Sequence, residues 1–168
     1  MRCEVTFAVP TPEHVQTVAG ALRAADRAEL AALWGGDPQA VLEVSVLDSM
    51  MAGEVFTALN AEGAPFALFG VCHGANWLNW SGSCVWMVGT DEVANHGRAL
   101  LWHGRRFVQA WVTAYGLLGG FVHVRHDAAV RTLSRLGFHV NPDGAVLLGP
   151  PGQGAEPFLP FHLAPGEA

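Results

Sequence analysis

The chain has 168 residues, 51% of them hydrophobic and 14% charged, with a formal net charge of -6 at pH 7. That balance excludes a disordered chain and a general nucleic-acid binder, and it suffices for one domain with a sizeable core. No apolar run approaches the ~20 residues that span a bilayer, because His, Asn and Gly interrupt every candidate.

The N-terminus lacks a basic segment followed by an unbroken apolar run, so a secretory signal is not expected and the chain reads as soluble and non-secreted. Cys3, Cys72 and Cys84 are too few and too scattered for a disulfide framework or a CxxC metal site. Each sits beside apolar residues and reads as a small core side chain.

Residues 3–9 alternate apolar and polar as a half-buried strand does. Thr11-Pro12-Glu13 marks a helix start, with Thr11 as N-cap and Pro12 in the first turn. Val15, Val18, Ala19 and Leu22 supply its apolar face. Asp26 is expected to cap a second helical segment carrying Leu30, Leu33 and Trp34, which Gly35-Gly36 ends. Asp37-Pro38 restarts a helical pattern that runs to about Gly53.

The period then changes. Residues 55–58, 66–72 and 84–88 read as short strands, and the first two are joined by a turn-rich link. Antiparallel neighbours follow from such short connections. Residues 97–115 form the clearest amphipathic helix, with apolar residues from Leu100 to Tyr115 at spacings of three and four. Gly104 within it marks a close approach by a neighbouring backbone. A strand over 121–125, a helix over 128–136 capped by Asp127 and stopped by Gly137, and strands over 145–148 and 158–162 complete the pattern. Trp86 lies in a predicted strand and is assigned to the core. Trp77 and Trp80, among Asn, Gly and Ser, are candidates for contact with another subunit.

The result is an α/β (α+β) chain, one domain over residues 1–163 with a frayed tail at 164–168. This order of elements resembles the GNAT acetyltransferase superfamily, and Leu136-Gly137-Phe138 matches the Gly-Phe-like close of its cofactor half. The resemblance implies a central mixed, mostly antiparallel sheet flanked by helices, with acetyl-CoA pyrophosphate held where a strand feeds a helix. The segments 65–71, 85–91 and 131–138 are similar, more narrowly, to a GNAT-related family of morphogenesis and internal virion proteins of T7-like podophages and prophages. That resemblance implies virion or assembly proteins as partners and a location in the bacterial host cytoplasm or the virion. On this reading efficient acetyl transfer is not expected; the alternative is an acetyl-CoA-dependent N-acyltransferase with a degenerate active site.

The superfamily's phosphate pattern, Arg/Gln-x-x-Gly-x-Gly/Ala, aligns with Ala94-Asn-His-Gly-Arg-Ala99. Gly97, Arg98 and Ala99 are therefore the candidate cofactor-binding residues, although an ordinary helix entry uses the same residues without a ligand. Acyl transfer to an amine also needs a base and an acid. Leu133 stands where many superfamily members carry a Tyr, and Tyr115, the sole tyrosine, reads as a packing residue. Asp91 and Glu92, just past the 84–88 strand, are the candidate catalytic carboxylates, or else residues that end a strand and favour a helix start. His123 and His126, three apart, span a strand-to-helix junction and need not converge. His96 and His103 lack a Cys or carboxylate at ligand spacing, so no metal is expected. No Gly-x-Ser-x-Gly elbow is present for serine chemistry.

Overall fold

The computed structural model describes residues 4–73 and 82–166. Cys3, Trp77 and Trp80 lie outside these residues. The elements run β1 (Thr6–Ala8), α1 (Pro12–Gly20), α2 (Ala24–Trp34), α3 (Pro38–Ala52), β2 (Gly53–Leu59), β3 (Pro65–Cys72), β4 (Ser83–Gly89), α4 (Val93–Tyr115), β5 (Leu118–His123), α5 (Asp127–Leu136), β6 (His139–Val140), β7 (Val146–Leu148) and β8 (Glu156–Leu163).

Local chemistry explains several of the helix ends. Thr11 accepts a hydrogen bond from the His14 amide ahead of Pro12, and Asp37 accepts from the amides of Gln39 and Ala40 ahead of Pro38. Gly137 ends α5 in the left-handed conformation, at φ 100°, which leaves the Phe138 amide free to close on the Leu133 carbonyl.

Two caps differ from expectation. Asp26 is not a cap: α2 begins at Ala24, so Asp26 stands in its first turn with its carboxylate buried. His126, not Asp127, caps α5, its Nδ1 accepting from the Ala129 amide at 3.4 Å. Helix α4 begins at Val93, four residues before the sequence pattern places it. Val93 buries its side chain against Val5, Ala58, Phe66 and Ala67, and this packing draws the first turn into the helix. At Gly104 it is a side chain and not a backbone that comes close, since an added Cβ would stand 3.0 Å from Leu136 Cδ2. Strand β5 starts earlier and ends earlier than predicted, and the short β6 has no counterpart in the prediction.

All eight strands form one sheet in the order β1-β2-β3-β4-β5-β8-β6, with β7 on β8. Every pairing is antiparallel except β4 with β5, so the sheet is mixed and mostly antiparallel. Period-two alternation sends Val55, Leu68 and Val88 to one face, under Val15, Val18, Leu42 and Val46 of α1 and α3. Their neighbours Phe56, Phe69, Val71 and Val85 face the other way, toward Val108, Trp111 and Val112 of α4. Trp86 joins the first layer half-buried and donates its indole N–H to Ser49 Oγ at 3.1 Å. Tyr115 closes α4 by donating to Glu54 Oε1 at 2.6 Å. Among the described residues, no helix is long and apolar enough to cross a membrane.

Candidate functional site

The single parallel pairing sets up the site. Strands β4 and β5 are in register only at Ser83 with Leu118 and Cys84 with Gly119. Beyond Cys84 they part, although β4 continues to Gly89 and β5 to His123. The opening is the vertex of a largely apolar cleft of about 1150 Å³ whose walls include Leu30, Trp86, Met87, Gly97 and Leu133. Cys84 stands at the vertex, where burial pushes its thiol up to about 12, far from nucleophilic use.

The far end of the split is closed by α2 and not by β5. The Gly89 amide donates to Asp26 Oδ2 at 2.7 Å, and the Gly89 carbonyl accepts from the Arg23 amide at 2.9 Å. Both backbone groups of Gly89 therefore point away from β3. By the same period of two, the N–H and C=O of Met87 face the cleft, at a point where β5 has already left. This leaves a short free sheet edge inside the molecule.

Asp26 ties four groups together. Besides Gly89, it takes Arg23 Nε and Nη2 at 2.9 and 2.8 Å, and its Oδ1 lies 2.9 Å from His126 Nε2. Because His126 Nδ1 accepts from the Ala129 amide, the Nε2 hydrogen is the one given to Asp26. His123 repeats the arrangement. Its Nδ1 accepts from the Arg125 amide at 3.1 Å while Nε2 meets Glu156 Oε2 at 3.3 Å. Glu156 Oε2 also accepts from Arg125 Nη2 at 2.8 Å.

Glu29, one helical turn after Asp26, is different. It makes no ion pair among the described residues. Burial pushes its carboxyl up from the ordinary 4.5 to about 7, and the charge of Asp26 adds to the rise. The His126 ring, the His123 amide and the Arg23 guanidinium pull the other way. A carboxylate that takes up and releases a proton near neutral pH thus lies beside the split, which is the property required of a general base. The sequence offered a signal for it: Asp26 and Glu29 share one face of a helix otherwise rich in alanine.

No family model matches the sequence, and no curated protein does. Solved structures do match in three dimensions. Spermidine N-acetyltransferase from Vibrio cholerae, in complex with CoA and spermine, superposes with a TM-score of 0.67 at 12% identity, over 97% of this chain and 96% of its own. Ribosomal-protein-S5-alanine acetyltransferase from Vibrio fischeri gives 0.64 at 13% identity, over 97% and 94%. A GCN5-related N-acetyltransferase from Kribbella flavida gives 0.65 at 15%, over 95% and 97%. The fold is that of the GNAT acetyltransferases.

Within this GNAT fold, the residues singled out from the sequence fall into two groups. Gly97 lines the cleft from the second turn of α4, with open space where a side chain would stand; Arg98, which is exposed, and Ala99 do not line it. The first-turn amides are occupied: Val93, Ala94 and Asn95 donate to the carbonyls of Thr90, Asp91 and Glu92 at 3.1, 3.2 and 2.9 Å. Asp91 is exposed, and neither it nor Glu92 lines the cleft. Glu92 turns back to accept from Asn60 Nδ2 at 2.8 Å and meets His96 Nε2 at 3.2 Å, contacts that hold its carboxyl below the usual range. The structure does not bring these two carboxylates to the split. It brings Asp26, Glu29 and His126 there instead, with His123 at the adjoining end of β5. Among the described residues, no three His, Cys, Asp or Glu side chains are arranged to hold a metal ion.

Proposed function

We propose that the chain is an acyl-CoA-dependent N-acyltransferase whose thioester arm lies along the free edge of β4. The observation that carries this reading is the parting of β4 from β5 after Cys84, which leaves the Met87 N–H and C=O unmatched in an apolar cleft. The pantetheine arm of CoA is an extended chain bearing two amides. It can add to such an edge as a strand does, with its amides pairing to the backbone and the cleft walls excluding water. The amine nitrogen then attacks the thioester carbonyl and the C–S bond breaks. The thiolate takes a proton, and the new amide nitrogen gives one up.

The two ends of CoA fit unequally. The cleft takes the acyl-pantetheine arm, but the α4 N-terminus has no free first-turn amide for a diphosphate and carries Asp91 and Glu92 beside it. What remains for phosphate is the open space at Gly97, the small Ala99 and the charge of Arg98 on the next turn. Binding of the nucleotide end therefore rests on Arg98.

Those occupied amides favour the second reading, a non-catalytic virion-assembly protein, which predicts no CoA binding. Calorimetric titration with acetyl-CoA separates the two, followed by release of free thiol on adding a primary amine. Saturable binding that Arg98→Glu weakens supports the acyltransferase. Absence of binding up to millimolar acetyl-CoA overturns it and leaves the assembly role.

A further inference from the structure

Helix α3 is apolar on both of its sides. Leu42 and Val46 bury one side against α1 and the sheet. On the other side Ala40, Val44, Leu47 and Met51 recur at intervals of four, three and four residues, and all four are exposed. Leu47 is 63% and Met51 88% exposed, with Met50 beside them. A row at that spacing is the seam by which one helix packs along another, whereas a helix side that faces water carries polar residues. The charge around the row is acidic. Glu43 and Asp48 flank it, Asp37 caps the helix, and α3 contains no Lys or Arg.

A row on α4 has the opposite character. Arg98, Trp102, Arg105 and Gln109 repeat the same intervals, all exposed, and α4 contains no Asp or Glu. The Arg106 guanidinium lies 3.9 Å from the centre of the Trp102 ring, and Arg105 donates to the Arg135 carbonyl at 3.2 Å. These contacts order the row before any partner arrives. Each row extends over about 16 Å of helix. Among the described residues, Glu43, Asp48, Arg98, Arg105 and Arg106 make no ion pair within the chain.

We infer that the α3 row docks on the Trp102 row of α4 in a second copy of this chain. Trp102 then packs on Leu47 and Met51, and the arginines meet Glu43 and Asp48. Pairing α3 with α3 would instead gather the carboxylates of both copies along one seam, and pairing α4 with α4 would gather the guanidinium groups. Helices α3 and α4 pack on opposite faces of the sheet, so each copy offers both rows at once. The contact is therefore head-to-tail, and copies add into an open chain or a closed ring. The inference stands whether or not the cleft takes an acyl-CoA, since Leu47, Met51 and Trp102 do not line it.

Light scattering and sedimentation velocity test it. The wild-type mass should rise above the 17.8 kDa of one copy as the concentration is raised to about 100 μM, and should pass beyond two copies. Leu47→Arg spoils the α3 row and Trp102→Asp the α4 row. Both positions are exposed, so each variant should keep the wild-type circular dichroism spectrum. Each alone should be monomeric. Mixed together they should form a one-to-one complex that grows no further, because each retains the row the other has lost. Met51→Arg and Arg106→Glu, on the same two rows, should behave as the first pair does. A wild-type protein that stays monomeric, or that stops at two copies, overturns the inference. So does a Trp102→Asp variant that still pairs with itself, which would mean α3 on α3, and so does a mixture that forms no complex.

Discussion

Replacing Asp26 by Ala tests whether the far end of the split is closed by the contacts assigned to it. The change removes the acceptor for four donors at once, the Gly89 amide, Arg23 Nε and Nη2, and His126 Nε2, all within 2.9 Å. Asp26 is 3% exposed, so water does not replace the carboxylate for Gly89 or His126. Breaking a buried pair by removing one partner costs about 3–5 kcal/mol, most of it the penalty of leaving the other groups unpaired. The Arg23 side chain keeps 21% of its exposure and stays partly hydrated, which places the expected loss toward the lower end. At roughly 2–4 °C per kcal/mol for a domain of this size, the melting temperature should fall by about 6–15 °C. Urea unfolding followed by circular dichroism measures the loss directly, with an unchanged slope to show that the folded state is otherwise intact. A double-mutant cycle with His126→Ala should give a coupling of about 0.5–3 kcal/mol, since each residue is the other's partner. A loss under about 1 kcal/mol for Asp26→Ala, or strict additivity with His126→Ala, would refute the assignment.

Three further outcomes follow from the same geometry. Because the folded-state value of Glu29 lies above its unfolded value, the folded state binds the extra proton between pH 4.5 and about 7 and loses stability as pH rises through that window; Glu29→Gln should therefore be more stable than wild type above pH 7, by about 3 kcal/mol at most, with the gain vanishing below pH 4.5 in paired urea titrations. Asn60→Ala should cost about 2–3 kcal/mol in the same assay, because Asn60 holds Glu92 through Nδ2 and accepts from the amides of Glu62 and Ala64 at 3.1 and 2.9 Å. Gly97→Ala, at a helical position with open space, should stabilise α4 by about 0.5–1 kcal/mol, and it should weaken acetyl-CoA only if phosphate approaches the backbone there.

What the sequence made legible is what depends on a few neighbouring residues. Thr11 before Pro12, Asp37 before Pro38 and Gly137 after Leu136 each satisfy a demand within four residues, so their roles appear in the sequence as they do in space. The start of α4 was less legible because Gly97 lowers local helix propensity, while the burial of Val93 against Phe66 and Ala67 overrides it from a distant part of the chain. The same rule explains His126: an aspartate beside it is the better cap by preference, but the imidazole was already held in place by Asp26.

The site was hidden for a related reason. Asp26 bonds to Gly89 across 63 positions and to His126 across 100, separations at which spacing carries no information about contact. A carboxylate near a helix start has a local explanation as a cap, and a histidine before a helix has one as a loop residue. Each explanation is complete without the other residue. Their convergence comes from the topology: β4 and β5 run parallel but part after Cys84, and Asp26 of α2 spans the gap between Gly89 at the end of β4 and His126 just past β5. Asp91 and Glu92 follow the same strand end but leave with α4, and Glu92 is spent on holding the β2–β3 turn to that helix. A carboxylate next to the strand in sequence therefore need not stand beside the cleft in space. The parting of the one parallel pair determines which carboxylates line the cleft, and Asp26 and Glu29 are among its walls while Asp91 and Glu92 are not.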